Sequence, residues 1–67
     1  MREELRAFEH ALQRLPWKKR EAFVLVEMEG VSIDEAARAL CVPAATVRTR
    51  LFHARRELRE AMRRGAP

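Results

Sequence analysis

Four residues, Pro16, Gly30, Pro43 and Gly65, cut this chain into segments, and no proline or glycine falls inside any of the four long ones; the remaining proline, Pro67, follows Gly65. Proline removes a backbone donor and glycine loosens the backbone, so breakers confined to the joints leave four uninterrupted helices as the economical reading. The chain has 67 residues. It therefore reads as one small domain, residues 1–67, of the size in which folding hides only about 60% of the unfolded surface. Hydrophobic residues make up 48% and charged residues 36%, a balance that fits a helical globule and not a disordered tail.

Periodicity supports the helices one by one. Leu5, Phe8, Leu12 and Leu15 share one face of the first. The second opens at Pro16, whose fixed φ suits a first helical position. Its centre, Ala22-Phe23-Val24-Leu25-Val26, also fits a buried strand, but no partner strands are visible and the run sits between two breakers. Gly30 is placed to close this helix in the left-handed conformation, with Val31 as the apolar residue beyond it. Ser32 and Glu35 then form a capping box ahead of Ile33, Ala36, Ala37 and Leu40. Pro43 disfavours helical geometry at Val42, so the third helix ends by Cys41. The fourth runs from Pro43 to about Arg64. Two helices across so short a turn make a helix-turn-helix, about residues 32–53, with a basic helical extension over 54–64. The expected core is Leu12, Leu15, Val26, Ile33, Ala37, Leu40, Val47 and Leu51.

The charge is unevenly placed. Residues 46–67 hold seven arginines against Glu57 and Glu60, net +5, while residues 1–45 hold seven basic and eight acidic side chains, net −1. The whole surplus lies in the last third and is all arginine, whose planar fork suits phosphates and guanine edges. A polyanion is the expected partner. On the last helix, Leu51, Ala54 and Leu58 fall within roughly 40° of Val47 and form the stripe that packs. Thr49, Phe52, His53 and Arg56 project from the other side, with Arg48 at the flank. A phenylalanine held out in solvent among arginines needs a partner, and a thymine methyl or base edge in a major groove is one. Val42-Pro43-Ala44-Ala45 supplies no ordinary cap, so the first amides of this helix are left for a DNA phosphate, for water or for Thr46.

Catalysis finds no inventory. There is one cysteine, no tyrosine, no glycine-rich phosphate loop and no His/Asp/Glu cluster at metal spacing; Ser32 is committed to capping. A lone Cys41 excludes an internal disulfide and a thiolate metal cage, and reads as a small turn residue. No enzyme, metal or cofactor is expected. No apolar run approaches the ~18 residues of a membrane span and MREELRAFEH is not a signal peptide, so a soluble, cytoplasmic protein is expected.

Taken together, several pieces resemble region 4 of sigma-70-type factors, nearest to the extracytoplasmic-function group. They are Leu15-Pro16 with Arg20, then Gly30-Val31-Ser32 with Glu35 and Ala37, then Pro43 with Thr46-Val47-Arg48-Thr49-Arg50, and last Ala54-Arg55 with Leu58. The likeness runs from Leu15 to Leu58. It implies recognition of the promoter minus-35 element in double-stranded DNA, docking on the flap of the RNA polymerase β subunit, and masking by an anti-sigma protein, with no membrane partner. It also implies contacts to the minus-35 DNA at Arg48, Thr49, Phe52 and His53, with Pro43 and Thr46 near the backbone; Ala45, Arg55 and Arg56 complete the candidate DNA-binding set. Three positions depart from the family's commoner choice: Cys41 and Ala45, often glycine, and His53, more often arginine. The region that would read the minus-10 element is missing, so the chain is expected to be a domain or fragment that does not direct initiation alone. Two alternatives stand beside this reading. A LuxR-type DNA-binding domain shares the Gly-Val-Ser start but lacks the long basic extension. An interaction module held mainly by an anti-sigma protein would be covered over its basic face and the Phe23/Leu25 region.

Overall fold

The computed structural model describes residues 2–65. Among them the chain forms α1 (Arg2–Arg14), α2 (Trp17–Phe23), α3 (Ile33–Leu40) and α4 (Ala44–Arg63), and α2 continues through a wide π turn, Val24–Met28. There is no strand among the described residues. The Ala22–Val26 run is therefore helical, as its flanking breakers imply.

Each joint has a local cause. Pro16 is the cap residue of α2 and not its first turn, and its carbonyl accepts from Arg20 N–H at 3.0 Å. The π turn was not expected from the sequence. Val24 and Val26 are both β-branched and weaken the helical preference there, and Glu29 N–H reaches back five residues to the Val24 carbonyl. Gly30 then turns left-handed at φ 76°, and Val31 N–H donates to the Leu25 carbonyl at 2.9 Å. The capping box of α3 is complete: Glu35 N–H donates to Ser32 Oγ at 3.0 Å, and Ser32 N–H donates to Glu35 Oε1 at 3.2 Å.

The turn between α3 and α4 is closed by Cys41 at φ 58°, ψ 44°. Val42 N–H donates to the Ala37 carbonyl at 3.0 Å and Cys41 N–H to Arg38 at 3.3 Å, the paired bonds of a Schellman motif. A side chain in this conformation costs roughly 1–2 kcal/mol that glycine avoids. Cys41→Gly should therefore stabilise the domain by about 1 kcal/mol, less the entropy glycine adds to the unfolded chain. A lower urea midpoint for the variant would refute this.

Helix α4 is the spine on which the others pack. Val47 and Leu51 close on Ala22, Ala36 and Ala37, while Ala54 and Leu58 close on Ala11 and Leu15. Phe23 packs against both clusters and meets Phe8 with ring centroids 6.2 Å apart. The stripe expected on the last helix is the one buried. The expected core needs correcting elsewhere. Leu15, Ala37, Val47 and Leu51 are buried, but Leu12, Val26, Ile33 and Leu40 are only half-buried. The enclosed positions include Ala11, Ala22, Ala36 and Ala54 instead, small side chains of the kind that let helices approach while larger neighbours pack around them. Leu5 shares the stripe of α1 but stays 57% exposed, outside the cluster that takes in Phe8, Leu12 and Leu15.

Candidate nucleic-acid interface

The packing of α1, α2 and α3 along α4 decides what α4 can show to solvent. Its apolar stripe is spent on the core along most of its length, so the opposite face is the outward one. Ala45, Arg48, Thr49, Phe52 and Arg56 are all exposed there, and Phe52 is 56% exposed. At 1.5 Å per residue, Ala45 to Arg56 span roughly 17 Å of helix, a length that fits a major groove. Pro43 is exposed at the start of the helix and Thr46 is half-buried. No side chain caps this end: Thr46 and Val47 N–H both turn back to the Pro43 carbonyl, at 3.0 and 3.3 Å.

Phe52 is not a loose ring. The His53 imidazole meets it edge-on, with centroids 5.5 Å apart and planes at 62°. The Arg56 guanidinium carbon lies 5.8 Å from its centroid on the next turn, a cation–π arrangement. These three side chains form one small patch. His53, placed on the outward side by the helical period, is half-buried, with its imidazole beside the Phe52 ring.

The charges sort into engaged and free. Glu57 pairs with Lys19 of α2, and Glu60 accepts from Arg63 at 2.6 Å and from Arg64 at 3.1 Å. The hydrogen bond from Arg63 holds the Glu60 carboxyl below the usual carboxylate range, aided by the charges of Arg63 and Arg64. Arg55 turns away from the outward face and binds Glu27 in the π turn. Both acids of the arginine-rich third are thus engaged. Among the described residues of α4, Arg48, Arg50, Arg56 and Arg59 have no carboxylate partner, and Arg48 and Arg56 flank Phe52. The structure brings together Arg48, Thr49, Phe52, His53 and Arg56 and sets Arg55 to one side. The part missed from sequence is Glu27, which lies 28 residues before its partner and carries no local signal of the pairing.

Beside this face α1, α2 and α4 enclose a shallow groove, floored by Phe8, Phe23, Leu58 and Met62 and rimmed by Arg55, Arg56, Arg59 and Arg63. Among the described residues no group of His, Cys, Asp and Glu is placed to hold a metal ion, and no helix is long and apolar enough to cross a membrane.

Residues 5–58 match the family model described as Sigma-70, region 4. The match begins ten residues before the motif likeness and so takes in most of α1. The RNA polymerase sigma-H factor of Pseudomonas aeruginosa is 38% identical over 63 residues, covering 92% of this chain and 33% of that protein. The ECF RNA polymerase sigma factor SigM of Mycobacterium tuberculosis is 46% identical over 52 residues, covering 78% of this chain and 26% of that protein. The chain thus spans about a third or less of the curated relatives it matches. No solved structure matches it.

Proposed function

The chain belongs to the sigma-70 region 4 family, and from that premise we propose that α3 and α4 bind the minus-35 element of double-stranded promoter DNA and thereby help bring RNA polymerase to its promoters. The observation that carries this is the outward face of α4, where Arg48 and Arg56, free of carboxylates, flank the exposed Phe52 beside Thr49. Thr49 and Phe52 read base edges, with Arg48 and Arg56 on phosphates and His53 holding the Phe52 ring. Pro43, Ala45 and Thr46 bring the start of α4 against the backbone. The family match favours this reading over the LuxR-type alternative.

The protein partners follow from the same likeness. The flap of the polymerase β subunit and an anti-sigma protein both need an apolar footing, and the groove floored by Phe8, Phe23, Leu58 and Met62 offers one beside the DNA face. Occupation by the flap leaves α4 free for DNA, whereas an anti-sigma protein extends over the arginines and blocks it. The RNA polymerase named in the relatives' descriptions supports the first of these partners.

Selection of bound duplexes from a random library tests the DNA reading, with a single enriched motif as the expected result. Arg48→Ala and Arg56→Ala should each flatten the dependence of log affinity on log salt by about 0.9, the counterion released at one phosphate. No enriched motif, together with unchanged slopes in both variants, would remove α4 from the interface.

A further inference from the structure

Arg55 belongs by sequence to the arginine run of the last helix, yet the fold uses it differently. It lies roughly 100° around α4 from Arg56 and on the side of the groove. There its Nε and Nη2 both engage one carboxylate oxygen of Glu27. The pair joins the π turn of α2 to the middle of α4, and it is partly sheltered, with side-chain exposures of 49% for Arg55 and 33% for Glu27. Phe8 and Phe23 line the same groove and lower the local polarity beside the guanidinium. Glu27 has no other basic partner among the described residues, so its charge is committed to Arg55.

We propose that Glu27 is a specificity-determining residue that masks Arg55, holding it as a clamp between α2 and α4 and withholding it from DNA phosphates. The inference rests on the DNA-binding reading of α4. Phosphate contacts strengthen binding to every sequence alike, whereas base contacts distinguish one from another. A free arginine beside the reading face therefore raises binding to random DNA more than it raises discrimination. Engaging Arg55 with Glu27 keeps the α2–α4 contact and removes that non-specific share. Arg48 and Arg56 remain to position the helix.

The test compares wild type, Glu27→Gln, Arg55→Gln and the double variant on a duplex carrying the selected motif and on a random-sequence duplex, across salt concentrations. Glu27→Gln should bind both duplexes more tightly, steepen the salt slope by about 0.9, and narrow the ratio between motif and random DNA. Arg55→Gln should leave the wild-type slope unchanged, and the double variant should return to it. A merely structural pair predicts the opposite sign, with Glu27→Gln weakening binding as α4 loosens. Flattening in Arg55→Gln would show that Arg55 already sits on a phosphate and would overturn masking. A gain that persists in the double variant would assign the effect to the Glu27 charge itself and overturn it equally. Were wild type to bind neither duplex, the DNA-binding reading would fall first; binding by wild type with no change in Glu27→Gln leaves that reading standing and defeats only the masking role.

Discussion

Leu51→Ala should remove about 2–5 kcal/mol of folding stability, the range for deleting a fully enclosed leucine from a core. Leu51 is 1% exposed and, with Val47, is the largest side chain fully enclosed by the fold. It closes on Ala22, Ala36 and Ala37. Alanines already bring these helices close, so little remains that can collapse into the space left behind. A domain of 67 residues holds roughly 3–10 kcal/mol in total at ~0.05–0.15 kcal/mol per residue. The variant should accordingly be largely unfolded near room temperature, or sit at the edge of unfolding. Leu5→Ala is the matched control, because Leu5 is the same residue type at 57% exposure, and it should change stability by less than about 0.5 kcal/mol. Urea titrations followed by circular dichroism compare the two. Equal midpoints would mean that α4 is not the spine of the core.

Substitutions on the opposite face of α4 should leave the fold intact and alter what it reads. Thr49→Ala and Phe52→Ala should each change the preferred base at one or two positions by about 1–3 kcal/mol, roughly five- to 150-fold in relative affinity. Phe52 carries a further consequence, because its ring also organises His53 and Arg56. Removing it frees a guanidinium as well as a base contact, so Phe52→Ala and Arg56→Ala should not be additive. Affinities measured on every single-base variant of the selected duplex distinguish the outcomes. If Phe52→Ala weakens all duplexes by one factor, the ring packs against the backbone and does not read bases.

His53 refines that face. Imidazole offers one donor and one acceptor, whereas arginine, the residue the family resemblance leads one to expect there, offers five donors and a permanent charge. In this chain the ring lies edge-on to Phe52 and half-buried. Its first effect is thus on the posture of Phe52, the ring proposed to meet the bases.

The amino-acid sequence by itself determined the joints, the caps and the two faces of α4. Pro16, Gly30, Pro43 and Gly65 act on their own backbones, Ser32 and Glu35 are three residues apart, and Val47, Leu51, Ala54 and Leu58 follow a helical period. Signals of that kind need no knowledge of what lies across the fold. The outward placement of Thr49, Phe52 and Arg56 followed from the same period. Only the tertiary structure decided which apolar residues would be enclosed. Helices cross where small side chains let them approach, so Ala11, Ala22 and Ala36 are buried while Leu12, Val26 and Leu40 flank them. It also decided the π turn at Val24–Met28 and the capture of Arg55 by Glu27. Neither follows from local pattern, because the partner of a charge on one helix is set by the angle and depth at which another helix arrives, and that geometry exists only once the core between them has closed.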